Sequence, residues 1–285
     1  MKVVITGASG AIGQAIVPRL LAEGIEVIGL DKKASQLGIR LVLADLCDLG
    51  HVYTALIGAD AVIHLGALPS PHHAPADVVY SNNVLSQFNV FEAAANLGIR
   101  RIVNISSVSA LGFPFQLRSF QPYYFPIDEE HPLLPQDSYG LSKATGEEIA
   151  AAYCRRGCGS VASLRLSTVV GPDEREKYHM VIDRAREHPD RGIRDLWSYV
   201  DARDVAQACL LALTANFEGH QPFFITAADT MSLLPTDELL DRYYPDVPRR
   251  DGVRPGRWSL LDGKKASQLL GYHPSYSWSE ALKNS

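Results

Sequence analysis

The hydrophobic and polar positions of this chain fall into two alternating patterns. Short runs rich in Val, Ile and Leu occur at Lys2–Thr6, Glu26–Asp31, Arg40–Leu46, Ala61–Gly66, Arg101–Ser107 and Val161–Val170. They are almost continuously apolar, which is the signature of strands buried on both faces. Between them, apolar residues recur at helical spacing over Ala11–Glu23, Val78–Leu97 and Tyr139–Arg156, with a weaker pattern near Leu49–Ile57. Strands that alternate with helices need crossover connections, and the predicted class is an α/β protein with a doubly wound parallel sheet. Pro18 lies inside the first helical pattern, where it removes one backbone donor and predicts a local kink.

The alternation weakens after Gly171-Pro172, where Pro, Tyr, Trp and charged residues become more frequent. One further helix, Asp201–Thr214, carries Val205, Ala208, Leu211 and Ala212 at helical spacing and is expected to pack back on the sheet. The predicted organisation is therefore a main domain of residues 1–172 plus 199–216. A small discontinuous C-terminal substrate-capping part is formed by 173–198 plus 217–285.

Composition narrows the classes of function. The 285 residues are 46% hydrophobic and 21% charged, as in an ordinary globular protein. A net charge of -5 without any basic stretch argues against nucleic acid as a partner. Cys47, Cys154, Cys158 and Cys209 form neither a disulfide framework nor a complete metal ligand set, so no metal is expected. Uncharged stretches fall short of the ~20 apolar residues of a spanning helix, which predicts no membrane partner. With the first strand beginning at Lys2, a cytoplasmic location is the expectation.

The first strand-helix junction carries Thr6-Gly7-Ala8-Ser9-Gly10-Ala11-Ile12-Gly13. Glycines there permit a tight turn, close approach of a pyrophosphate and close helix-strand packing. The backbone of Ser9, Ala11 and Ile12 then lies where a helix N-terminus meets phosphate, as in a Rossmann-type dinucleotide site. Asp31 ends the second strand eighteen residues after Gly13, where its carboxylate accepts ribose hydroxyls and repels a 2′-phosphate. This favours NAD, although Lys32 and Lys33 follow directly and keep NADP open. Asp45-Leu46 closes the third strand near the expected adenine edge, with simple capping as the alternative for Asp45.

These motifs continue with His64-Leu65-Gly66-Ala67, Asn83, Ser106-Ser107, Tyr139-x-x-x-Lys143 and Leu164-Arg165. In that order and spacing the chain resembles the extended short-chain dehydrogenase/reductase family of NAD-dependent epimerases and dehydratases, over roughly the first 215 residues. Asp262-Gly-Lys-Lys-Ala266 and Leu270-Gly271-Tyr272-x-Pro274 resemble the family's closing segment. The resemblance implies that Leu65, Gly66, Ala67, Asn83, Tyr139 and Lys143 also meet the cofactor, Lys143 through the nicotinamide ribose. Asn83 departs in being followed by Ser86-Gln87 where the family has Gly-Thr.

Tyr139 and Lys143 stand four residues apart on one helical face, so an ammonium beside the phenol is expected to depress its pKa. Tyr139 is then the general acid/base. The resemblance places the catalytic hydroxyl at Ser107, which would stabilise the substrate oxygen during hydride transfer. Its neighbours Ser106 and Ser109 are the alternatives, and their ordinary reading is local hydrogen bonding. His64 reads as a structural core histidine.

The substrate is less legible. Only 24 residues separate Pro172 from Trp197, too few to wrap a nucleotide. Thr168 also stands where the family commonly has an amide. This compact layout is similar to that of uronate dehydrogenases, yet Val108-Ser109 stands where those enzymes carry Asn-His. Candidate substrate contacts are Ser70, Ser107, Val108, Ser109, Thr168 and Arg175. Arg175 is read as a carboxylate fork, with Lys177 and His179 beside it, or as part of a solvated charge run. His72 and His73 follow Ser70 in an exposed turn that is open to substrate. The insert Phe113–Pro126 packs six aromatics and Arg118 into fourteen residues and is expected to roof the pocket.

The leading expectation is an NAD-dependent dehydrogenase acting on a small, sugar-like alcohol. A nucleotide-sugar epimerase of the UDP-hexose 4-epimerase type and a non-catalytic NAD sensor are the alternatives. By analogy with the family, a homodimer is the expected assembly.

Overall fold

The computed structural model describes residues 1–171, 188–250, 252 and 254–279. Its first half runs β1 (Lys2–Thr6), α1 (Ala11–Ala22), β2 (Glu26–Asp31), β3 (Arg40–Leu43), α2 (Leu49–Leu56), β4 (Ala61–His64), α3 (Ala76–Leu97) and β5 (Arg101–Ser107). The second half follows with α4 (Ser138–Arg155), β6 (Ser160–Leu166), β7 (Thr168–Val170), β8 (Tyr199–Asp201), α5 (Ala202–Thr214), β9 (His220–Ile225), α6 (Thr236–Tyr243) and α7 (Lys264–Leu270).

Seven strands form one parallel sheet in the order β3-β2-β1-β4-β5-β6-β9. Successive side chains point to opposite faces, so β1 sends Val3 and Ile5 towards α1 and α5 and Val4 towards the α2 and α3 side. Both faces are covered, which explains why the strands are apolar throughout. The α/β, Rossmann-type sheet expected from the sequence is present. α1 continues through Pro18, and Gly98 ends α3 in the left-handed conformation with its N–H on the Ala95 carbonyl.

Three sequence boundaries change. β3 ends at Leu43, and Asp45-Leu46 lie beyond the sheet, where the Asp45 side chain accepts from the Cys47 N–H at 2.9 Å. The run Val161–Val170 is two strands, because the chain leaves the sheet at Ser167 and β7 pairs with β8. The division into domains also shifts. β9, assigned by sequence to the capping part 217–285, pairs with β6, and the α7 residues Ala266 and Leu270 with Tyr272 join the core under α1 and α5. A strand is assigned by its pairing partner, which can be distant in sequence.

What remains as a cap has its own apolar core. Phe113 and Phe125 of the aromatic insert, with Ile127 just after it, pack with Trp197, Leu239, Leu240, Tyr244 and Leu260. Backbone bonds tie the insert to the C-terminal segment: Phe125 N–H to the Pro248 carbonyl and Ile127 N–H to the Leu260 carbonyl, both at 2.8 Å.

Candidate active site

The glycine loop is shaped by contacts that exclude a side chain. Gly7 has φ +71°, and a Cβ there would lie 2.8 Å from the Gly66 N. A Cβ on Gly13 would collide with the Ala8 carbonyl oxygen, and one on Gly66 with the Leu46 side chain. Gly10 caps α1 without a side-chain hydrogen bond, leaving the backbone N–H groups at Ala11, Ile12 and Gly13 for an anion. Gly7 and Gly66 thus meet as bare backbone at the ends of β1 and β4, flanked by Leu65 and Ala67. The cradle fits a dinucleotide.

Asp31 accepts from the Ser9 N–H at 2.9 Å and from the Lys33 N–H at 3.0 Å, so its carboxylate is tied to the loop it faces. Lys32 does not neutralise it; its ammonium pairs instead with Asp45 at 2.9 Å. Burial pulls the Asp45 carboxyl up, but the Cys47 N–H and Lys32 outweigh it and hold the group below its ordinary value. Leu46 is anchored through its carbonyl by Asn89 Nδ2 at 2.9 Å, an α3 contact with no sequence signature.

Asn83 is a buttress. Its Oδ1 accepts from the Leu68 N–H at 2.7 Å, and its Nδ2 donates to the Leu68 carbonyl at 3.0 Å and to Ser142 Oγ at 3.2 Å. It therefore joins the loop after β4 to α4. His64 is buried and shares a 2.8 Å bond with Thr6 Oγ1; burial first, and the Lys143 charge second, bring its pKa down to about 3. It is a neutral structural residue.

The end of β5 and the first turns of α4 bring Ser107, Tyr139 and Lys143 together. Asp137 caps α4, accepting from the N–H groups of Tyr139 at 2.9 Å and Gly140 at 2.8 Å. Lys143 donates to the Ile105 carbonyl at 2.7 Å, and its ammonium lies 5.7 Å from the Tyr139 ring centroid. The structure corrects one expectation here. Burial pushes the Tyr139 phenol up to about 12, the Ser107 hydroxyl works against that, and Asp137 adds to it. Burial also lowers Lys143 to about 8, opposed by Glu147. In this form the tyrosine is a protonated acid, because desolvation outweighs the Ser107 hydroxyl.

The three serines separate cleanly. Ser106 donates to Glu147 at 2.6 Å, facing away from the site, whereas Ser109 supports Ser107 through its N–H and Oγ, both at 3.1 Å. Phe115 stands edge-on to Tyr139 at 6.2 Å, and His72 edge-on to Phe115 at 5.7 Å, so the insert and the loop after β4 meet over the phenol. Ser70 serves that loop by accepting from the His72 N–H at 3.1 Å. Arg118 is exposed at the insert's outer side, its backbone held by Gln136.

A small, largely apolar depression is lined by Val108, Leu111, Phe113, Pro114, Arg194, Asp195, Leu196 and Ser198. Leu196 and Trp197 adopt φ of 53° and 47°, a left-handed turn pinned by the buried Trp197 indole donating to the Pro189 carbonyl at 2.8 Å. That turn presents Arg194, exposed and without a partner among the described residues. Sequence reasoning missed it. Thr168 begins β7, while Arg175, Lys177 and His179 lie outside the described residues.

The chain matches the NAD dependent epimerase/dehydratase family over residues 3–225 and belongs to it. It is an enzyme type built for NAD, with oxidoreductase and epimerase members. A uronate dehydrogenase of Pseudomonas putida is 31% identical over 171 residues, 59% of this chain and 60% of that enzyme, so the chain spans less than two thirds of that relative. A protein of Methanocaldococcus jannaschii, provisionally named a UDP-glucose 4-epimerase, is 29% identical over 99% of this chain and 96% of its own length. Among solved structures, a short-chain dehydrogenase/reductase superfamily protein from Agrobacterium tumefaciens with bound NAD superposes with a TM-score of 0.76 at 24% identity, covering 100% of this chain and 95% of that one. No helix among the described residues is long and apolar enough to cross a membrane.

Proposed function

We propose that the protein is an NAD-dependent dehydrogenase that oxidises a secondary or anomeric alcohol of a small, sugar-like substrate. The observation that carries this reading is the convergence of Ser107, Tyr139 and Lys143 at the ends of β5 and α4, and Arg194, exposed and with no partner among the described residues, shares a small depression with Val108, the residue after Ser107. An arginine with no partner among the described residues suits a substrate that carries an anion, and a carboxylate matches its planar fork.

Gly7, Ser9, Gly10, Ala11, Ile12, Gly13, Asp31 and Gly66 would hold NAD, with Lys143 at the nicotinamide ribose. When bound, NAD supplies the hydride acceptor and a positive charge beside the phenol. Tyr139 then gives up its proton more readily and accepts the proton of the substrate hydroxyl. Ser107 donates to the same oxygen as it becomes a carbonyl. Ser109 keeps Ser107 oriented, and Phe115 with the rest of the aromatic insert excludes water from the phenol.

A second reading, epimerisation of a nucleotide sugar with hydride returned to the opposite face, draws on the near full-length match to the M. jannaschii protein. The two are separated by following NADH absorbance with free hexoses, uronic acids and nucleotide sugars. Net NADH formation with a free sugar or sugar acid is expected. A response confined to nucleotide sugars overturns the proposal.

A further inference from the structure

One buried cluster of ionised side chains is not used by the chemistry above. Glu147 follows Lys143 by four residues, as Lys143 follows Tyr139, so all three share one face of α4. Its side chain is 5% exposed and its carboxylate accepts from Ser106 Oγ at 2.6 Å and from Arg165 Nε at 3.0 Å and Nη2 at 2.8 Å. Arg165, itself 4% exposed, donates once more, to the Glu129 carbonyl at 3.2 Å, while Glu129 Oε1 accepts from the Phe224 N–H at 2.8 Å. β5, α4, β6, β9 and the segment leading out of the aromatic insert therefore meet at one ion pair.

A buried ion pair is weak evidence of stabilisation, because desolvation offsets most of the attraction. Its position suggests a different use. Lys143 lies beside the Tyr139 ring and one helical turn from Glu147 on its own helix, donates to the Ile105 carbonyl of β5, and shares its buried surroundings with the neutral His64 of β4. Glu147 is the anion that favours the ammonium form. Arg165 stands behind that carboxylate and holds it in place with three bonds.

We propose, on the strength of the dehydrogenase reading, that Glu147 is a positioning residue that keeps Lys143 an ammonium beside Tyr139, with Arg165 and Ser106 fixing the carboxylate for that task. The ammonium must persist where the phenol works, and burial alone opposes it. The periodic Tyr139, Lys143, Glu147 face then carries an acid/base, a cation and the anion that maintains the cation.

The test is the titration of Lys143 in protein labelled with 13C-lysine, its resonance assigned with Lys143→Arg, in wild type, Glu147→Gln and the double variant Glu147→Gln/Arg165→Met. The double variant removes the partner left uncompensated by the single change, so at least one folded protein is expected. Both variants should titrate lower than wild type by about one pH unit. The alkaline limb of NAD-linked turnover should move down with the midpoint. An unchanged midpoint in either folded variant overturns the proposal, as does a lowered midpoint with an unmoved limb. Wild-type protein that oxidises no alcohol overturns the dehydrogenase reading instead, while the titration still reports whether Glu147 sets the charge of Lys143.

Discussion

The Ser107 hydroxyl opposes the burial that pushes the Tyr139 phenol up to about 12. Two elements distant in sequence thus share control of one proton. If that proton is the one taken from substrate, Tyr139→Phe removes the reaction and little else, because the ring keeps its edge contact with Phe115. Turnover should fall by roughly 10²–10⁴-fold, the usual worth of a general acid/base. NAD affinity, measured by fluorescence titration, should stay within a few-fold of wild type. Comparable turnover in the variant would remove Tyr139 from the chemistry.

Lys143 makes folding depend on pH. Its folded pKa of about 8 lies below the ordinary 10.5, so the native state binds fewer protons than the unfolded chain between these values. Its contribution to stability therefore rises with pH through that window and is least favourable below pH 8. Lys143→Met should raise the melting temperature relative to wild type at pH 7, with a smaller gain at pH 9.5. Melting curves showing an equal gain at both pH values would refute this sign.

The glycines of the loop separate two kinds of crowding. Gly13→Ala meets the Ala8 backbone and should cost about 2 kcal/mol, roughly 4–8 °C of melting temperature in a chain of this size. Gly66→Ala collides with the end of the Leu46 side chain at 2.1 Å, with Thr6 Oγ1 next at 3.3 Å. Adding Leu46→Ala should therefore restore NAD binding to the Gly66→Ala protein and do nothing for Gly13→Ala. Calorimetry with NAD reads both; rescue of Gly13→Ala by the same change would contradict the geometry.

Asp31 is tied to Ser9 and Lys33 by backbone bonds that an amide oxygen can partly retain, and Lys32 is diverted to Asp45. Asp31→Asn should keep the loop folded while removing the charge that repels a 2′-phosphate. The preference for NAD over NADP, taken from kcat/KM, should drop by about tenfold, equal to about 1.4 kcal/mol. An unaltered preference would place discrimination elsewhere.

On the proposed function, Arg194 is the residue expected to hold an anionic substrate. Arg194→Met keeps the apolar stem against the depression and removes the fork. For a carboxylated sugar KM should rise by about 10–100-fold with kcat changed much less, as expected when ground-state and transition-state binding are lost together. For a neutral sugar KM should barely move. Equal effects on both would show that Arg194 does not read charge.

The amino-acid sequence by itself determined the sheet class, the glycine-rich strand-helix junction and the four-residue spacing of Tyr139 and Lys143, because each is written in local chemistry. Strands covered on both faces are apolar at every position, a strand-to-helix turn at phosphate needs missing side chains, and a helix puts residues four apart on one face. Only the tertiary structure decided the rest. β9 and Tyr272 were assigned by their partners rather than their composition, and Ser106, Ser107 and Ser109 could be told apart only by what each one bonds. The diversion of Lys32 to Asp45, the union of Glu147 with Arg165 and the turn that presents Arg194 all join residues far apart in the chain or held by distant packing. The protonation of Tyr139 belongs to the same group: proximity to Lys143 is local, but the desolvation that pushes the phenol up exists only once the fold has closed around it.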